Sequence, residues 1–347
     1  MSKLNIESFV KKIVIVTLIF MIGAFVNRDI STTPTSLGVY FEELSNLFPD
    51  IKNTRFPQRL LLPFISYITG LNVQTLNILI TFMFIFHLFS YLLEKQNTTI
   101  SFLLSVGVVT TMIFQFHITY GGYPDALSLF LYLLCIKNIN NKKYYIYALL
   151  SLFTREAAIV MFPILYLIKK RNSDSEKVLL NLSIPLLIYL PFYFLVQQGE
   201  NNANGWEFYL VPLLNDPMFW FNKSTTHYWL GFFSALKFLI FLLPLLIKSK
   251  KDFLLILISF ISINIQFLVS GGDNTRYWLI FIIPLVFLLK ENLKSTNFSM
   301  LLITFIILLN IITPKYYVFT DANEGNMYVT PNDSRLHIFD IYSFFNN

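Results

Sequence analysis

The feature that most restricts this chain is the recurrence of apolar runs long enough to cross a lipid bilayer. They begin with KIVIVTLIFMIGAFV near the N-terminus and end with SMLLITFIILLNIITP around residue 300. A spanning helix needs roughly 20 predominantly apolar residues, because in hydrocarbon every backbone N–H and C=O must be satisfied internally. Only 13% of the 347 residues are charged and 55% are hydrophobic. An average soluble domain carries roughly 25% charged residues, so this chain lacks the polar surface to coat a soluble particle. The reading is an all-α polytopic membrane protein, a single integral-membrane domain over 1–347 with outer loops 28–59 and 199–227 and an outer tail 314–347. The single cysteine, Cys135, excludes a disulfide framework, a CxxC redox site and a cysteine-built zinc site.

Apolar crossings are predicted at 9–27, 74–93, 98–116, 122–136, 178–197, 228–247, 253–270, 277–289 and 298–313. Residues 60–70 (LLLPFISYITG), bracketed by Pro63 and Gly70, are too short to span and read as an interfacial helix. Segment 144–168 decides the topology of the second half. As one helix it would put the basic loops 137–143 (KNINNKK) and 169–177 (KKRNSDSEK) on opposite sides; as a hairpin turning at Thr154-Arg155-Glu156 it returns them to the same side. Cytoplasmic loops hold the excess of Lys and Arg. Downstream, the hairpin gives nine cations inside and four outside, and the single helix inverts that ratio.

The hairpin is therefore preferred, giving eleven membrane segments with the N-terminus inside and the C-terminus outside. The inner face then carries sixteen cations against six acids, and the outer face eight against thirteen. The net charge of +6 is explained by this sidedness and does not imply a nucleic-acid partner. Lys11-Lys12 precede the first crossing, and no small-x-small cleavage site follows, so it reads as a retained anchor. The location expected is a multi-pass protein of a prokaryotic plasma (inner) membrane.

The unusual polar residues gather in the predicted outer segments. The first outer loop opens with Asn27-Arg28-Asp29, carries Glu42, Glu43 and Asp50, and closes on RFPQRLLLP with Arg55 and Arg59. The turn HITYGGYPD places Asp125 at a helix N-terminus, where a carboxylate can simply cap the helix. In GGDNTRYW, Asp273 and Arg276 read either as a local ion pair or as part of a site. Arg155 and Glu156 lie at the hairpin tip at membrane depth, where each charge costs at least roughly 2.5 kcal/mol. They either fix helix packing or border a site for a charged lipid headgroup.

Other residues admit simpler readings. His87 reads as a hydrogen-bonded interhelical residue, and Lys237 as snorkelling or lining a cavity. His117 and His227 read as outer-loop residues without metal-ligand spacing. Trp206, Trp220, Tyr228 and Trp229 are either an interfacial belt or a sugar-stacking surface. Asn97-Thr98-Thr99 matches a glycosylation sequon but falls in a cytoplasmic turn.

The order of Asp29, RFPQRLLLPF, YPDALSLFLYLL, TREAAIVMFPILYLI and GGDNTRYWLIFIIPLVFLL along the chain resembles the integral-membrane C-type (GT-C) glycosyltransferases. The resemblance implies a GT-C-like fold and transfer of a sugar from a polyprenyl-phosphate donor to a glycan, lipid or protein acceptor on the non-cytoplasmic side. It implies Arg59, Arg155 and Arg276, with Arg55 next, as phosphate-stabilising groups suited to bidentate contacts. Glu156 and Asp273 would join them in binding substrate. Asp29 is the first candidate for the carboxylate base, followed by Glu42, Glu43 and Asp125. No cofactor is expected; a divalent metal stays open as an alternative, without a ligand motif to hold it. The chain departs from the family in lacking a clear acidic pair in the first outer loop, where Arg28-Asp29 and Glu42-Glu43 compete for that role, and in lacking a soluble C-terminal domain. The alternatives are an O-antigen or capsule polysaccharide polymerase, a transporter or flippase of lipid-linked sugars, and a non-catalytic assembly subunit.

Overall fold

The computed structural model describes residues 3–27, 33–34, 37–47, 58–119, 122–172, 178–196, 225–270, 274–320 and 327–332. Its helices are α1 (Lys3–Val26), α2 (Leu37–Asn46), α3 (Leu61–Thr69), α4 (Val73–Leu92), α5 (Thr98–Val109), α6 (Met112–Thr119), α7 (Asp125–Lys137) and α8 (Lys143–Thr154). After a 3-10 turn at Glu156–Val160 come α9 (Met161–Asn172), α10 (Val178–Val196) and α11 (Thr225–Leu236). A second 3-10 turn, Lys237–Leu242, leads to α12 (Leu243–Leu246), α13 (Lys250–Ser270), α14 (Asn274–Leu279), α15 (Ile282–Asn292) and α16 (Asn297–Ile312). Among the described residues, three helical stretches are long and apolar enough to cross a membrane: Ile6–Val26, Val73–Leu92 and Trp229–Leu246, the last including the 3-10 turn.

Large apolar side chains stand exposed along several of these helices, among them Met21 and Phe25 on α1, Leu187 and Leu195 on α10, and Phe298 and Leu301 on α16. Such a surface cannot face water at this extent without aggregation, and it matches helices solvated by lipid tails. The chain is therefore predominantly helical and built to associate with a bilayer. The opposite helix faces close on a continuous core that includes Phe84, Leu88, Phe114, Tyr132, Trp278 and Phe281.

The structure departs from the sequence expectation in three places. The predicted crossing 98–116 is not straight, because α5 and α6 meet at an angle of 61°. At that break Thr110 and Thr111 turn their hydroxyls back onto the carbonyls of Gly107 and Val108, and Asn310 of α16 donates to Thr110 Oγ1 at 3.2 Å. The outer loop 28–59 contains the helix α2, which packs its Ser45 hydroxyl against Ser66 of α3 at 2.8 Å. The all-α reading also fails in the tail, where β1 (Lys315–Thr320) and β2 (Met327–Asn332) pair antiparallel. The KYYVFT segment is rich in aromatic and β-branched residues and suits a strand.

The segment 144–168 does form a hairpin. α8 rises from Lys143 and ends at Arg155, whose extended backbone (φ −161°) interrupts the helix before the 3-10 turn and α9 return the chain. Lys169 donates to the Ile139 carbonyl at 2.8 Å, so the two basic loops share one end. The other basic segments meet at this end as well: Lys290 pairs with Glu94 and Lys95 with Glu291. Arg171 pairs with Asp252 at 2.8 Å. α8 spans about 18 Å at 1.5 Å per residue, which sets Arg155 and Glu156 far from that basic end.

Lys237 neither snorkels nor lines a described cavity. It is fully buried at φ +47° and donates to the Asn310 and Thr313 carbonyls, neutralising the negative C-terminal end of α16. Lys315 is equally buried and donates to Asn27 Oδ1, tying the tail to the end of α1. Burial pushes the Lys315 ammonium down to about 7. Because the folded pKa lies below that of the unfolded chain, the unfolded state binds more protons between the two values. Stability is expected to rise with pH from about 7 upward, by at most ~1.4 kcal/mol per unit. Lys315→Met should flatten the dependence of the unfolding midpoint over that window; an unchanged slope would show that another group sets it.

Candidate functional site

The site is built at the end remote from the basic loops, and it starts with how Asp125 is held. Gly122 occupies φ +86°, and a Cβ there would meet Val73 Cγ2 at 2.8 Å and Gly38 Cα at 2.9 Å, so only glycine fits the turn. Two polar residues of α4 clamp this turn. Gln74 Oε1 accepts from Gly122 N at 2.8 Å and Gln74 Nε2 donates to the Ile118 carbonyl at 2.7 Å. Asn77 Nδ2 donates to the Tyr123 carbonyl at 2.7 Å. Asp125 follows as the first residue of α7, where the helix dipole favours its negative charge.

Both carboxylate oxygens of Asp125 are taken by guanidinium groups from distant segments. Arg155 Nη1 pairs with Oδ1, and Arg276 Nη2 pairs with Oδ2 at 2.7 Å. All three side chains are at most 5% exposed. The arginine faces are covered by rings: Arg155 lies 5.1 Å from the Tyr277 centroid, and Arg276 lies 4.7 Å from Tyr123 and 5.4 Å from Phe116. Cation–π contact of this kind is strongest where water is excluded.

Next to the triad, Arg59 makes a two-pronged bond to Glu156, with Nε to Oε2 at 2.8 Å and Nη2 to Oε1. This pair is less enclosed, its side chains being 11% and 30% exposed. Since Arg155 and Glu156 are consecutive, the hairpin tip links the two ion groups. Their adjacency does not neutralise the pair: each charge turns to a different partner. Among the described residues, three guanidiniums and two carboxylates drawn from residues 59, 125, 155, 156 and 276 form one cluster.

The other candidates fall elsewhere. Glu42 Oε2 accepts from Val73 N at 2.8 Å, so this carboxylate caps the N-terminus of α4. Glu43 is exposed on α2. Asp29, Arg55 and Asp273 lie outside the described residues, as do Trp206 and Trp220. Trp229 packs against Phe232 and Phe260. His87 Nδ1 lies 3.2 Å from Lys137 Nζ, between α4 and α7. His117 is not a loop residue: it is buried in α6 with its ring edge-on to Phe84. Neither of its ring nitrogens has a hydrogen-bond partner among the described residues. No group of three or more His, Cys, Asp and Glu side chains positioned for a metal ion occurs among the described residues.

The chain matches no family model, and no characterised protein or solved structure is similar to it. Chemically, the cluster offers guanidinium groups with geometry suited to phosphate oxygens beside a partly accessible carboxylate. Gln74, Asn77, Phe116, Tyr123 and Tyr277, which position or cover it, carry no motif in the sequence. The only prior signal was polarity within apolar runs, at Gln74 and Asn77.

Proposed function

We propose that this protein is a membrane glycosyltransferase that moves a sugar from a polyprenyl-phosphate donor to a glycan, lipid or protein acceptor on the non-cytoplasmic side. The observation that supports this reading most is the convergence of Arg59, Arg155 and Arg276 on Asp125 and Glu156, at the end opposite the basic loops. A chain that needed only lipid-soluble packing would not bury two arginines and half-bury a third there, since each carries a large desolvation cost.

In this reading the leaving phosphate is stabilised by guanidinium groups, and Arg59 is the one that donor phosphate reaches by exchanging with Glu156. Asp125 holds Arg155 and Arg276 in place; with both oxygens engaged it is poorly suited to accept a proton. Asp29 is the proposed base, activating the acceptor hydroxyl as that oxygen attacks the anomeric carbon and the polyprenyl phosphate departs. The excess of cations at the opposite end supports placing that end on the cytoplasmic side; the reading carries eleven membrane segments, N-terminus inside and C-terminus outside, in a prokaryotic plasma membrane.

The test is transfer of radiolabelled sugar from a polyprenyl-phosphate donor by the purified protein. Wild type is expected to release labelled sugar from the lipid to a hydroxylated acceptor, and Arg59→Ala to raise the donor KM by roughly tenfold or more, the scale of one lost charge-assisted contact. No transfer by folded wild-type protein across a panel of donors would overturn the reading.

A further inference from the structure

The opposite end of the bundle carries a second set of charges that sugar transfer does not use. There α4 ends between Lys12 of α1 and Lys137 at the end of α7. A cleft of about 390 Å³ opens on the α7 side, lined by Glu94, Lys95, Lys137, Lys290 and Glu291. A second, of about 420 Å³, opens on the α1 side, where Lys11 and Lys12 face Phe89 and Leu93.

The carboxylates of the first cleft are already matched, Glu94 with Lys290 and Glu291 with Lys95. Across the α4 end, Lys11 is paired with Glu7 at 2.8 Å. Lys137 and Lys12 have no carboxylate partner among the described residues. The neighbour of Lys137 is His87, whose Nδ1 accepts from the ammonium at 3.2 Å and orients the charge without cancelling it. Burial pushes the Lys137 pKa down, Glu94 pulls it back, and the like charges of Lys12 and Lys290 lower it further. Ammonium groups without carboxylate partners on either side of the α4 end favour an anion across it, outweighing the partial negative charge of the helix C-terminus. The same helix α1 exposes Phe9, Val10 and Val14 within a turn of Lys11, a surface that suits acyl chains and offers nothing to a free ion.

We propose that an anionic phospholipid headgroup binds across the end of α4, its phosphate between Lys12 and Lys137 and its acyl chains along the exposed face of α1. Basic pockets between helices at the cytoplasmic boundary are suited to such headgroups.

The test is native mass spectrometry of the purified full chain with phosphatidylglycerol or phosphatidylcholine, with inorganic phosphate as a separate arm. Wild type is expected to retain phosphatidylglycerol over phosphatidylcholine, with roughly fivefold of the preference from each lysine. Lys137→Gln should lose its share, Lys12→Gln/Lys137→Gln should lose both, and Lys137→Arg should keep the preference. Lys251→Gln, at a charge outside the clefts, should leave it unchanged. Equal retention of the two lipids by wild type would overturn the proposal, whether or not any variant folds. So would full preference in the double variant, or displacement of the lipid by millimolar inorganic phosphate.

Discussion

Asp125→Asn is expected to lower the unfolding midpoint in detergent by roughly 6–12 °C, corresponding to about 3–5 kcal/mol for stranding buried charge. The carboxylate is shared by Arg155 and Arg276, and an amide takes its charge away from two guanidiniums in a site that excludes water. The arginines cannot relax into solvent, because Tyr277, Tyr123 and Phe116 cover them. Arg155→Met should cost less, since Asp125 keeps Arg276. Combining Asp125→Asn with Arg155→Met should recover part of the loss by removing one stranded cation. A double variant no more stable than Asp125→Asn alone would mean that packing, not charge, holds this region together.

How much of this was legible beforehand follows from what each feature depends on. The apolar periods and the distribution of lysines are local and additive, so they carry the helices and the hairpin turning at Arg155. The hairpin could be inferred because it decides on which side nine cations fall, a sum that no single packing contact alters. The break between α5 and α6 could not, because Thr110 and Thr111 are ordinary in an apolar run until Asn310, two hundred residues away, donates to one of them. The strand pair was not legible, because KYYVFT is a short aromatic run without polar/apolar alternation, and such a run after a long helix reads as tail.

At the site, charge at membrane depth marked Arg155 and Glu156, and a turn motif marked Asp125. Partner identity lay out of reach: nothing local to Arg276 announced its contact with Asp125, 151 positions away. Glu42 shows the converse. Its sequence position in an outer loop made it a candidate base, and the fold spends it on the backbone N–H of Val73.

That expenditure of carboxylates sharpens the final prediction. Glu42 is committed to α4, Asp125 to two arginines, and Glu156 to Arg59 through both its oxygens. A base must have a free lone pair within reach of the acceptor hydroxyl; Asp125 and Glu156 meet arginines through both oxygens, so the proposed base stays Asp29, the first of the remaining candidates. Asp29→Asn is therefore expected to reduce kcat for sugar transfer by about 100- to 10,000-fold, with the unfolding midpoint unchanged. Glu156→Gln should act differently, removing the charge that faces Arg59 and shifting the donor KM more than kcat. The two variants thus separate a proton-accepting role from a charge-holding one. If Glu156→Gln abolishes kcat while Asp29→Asn transfers sugar normally, the base is the carboxylate paired with Arg59, and that ion pair must open during each turnover.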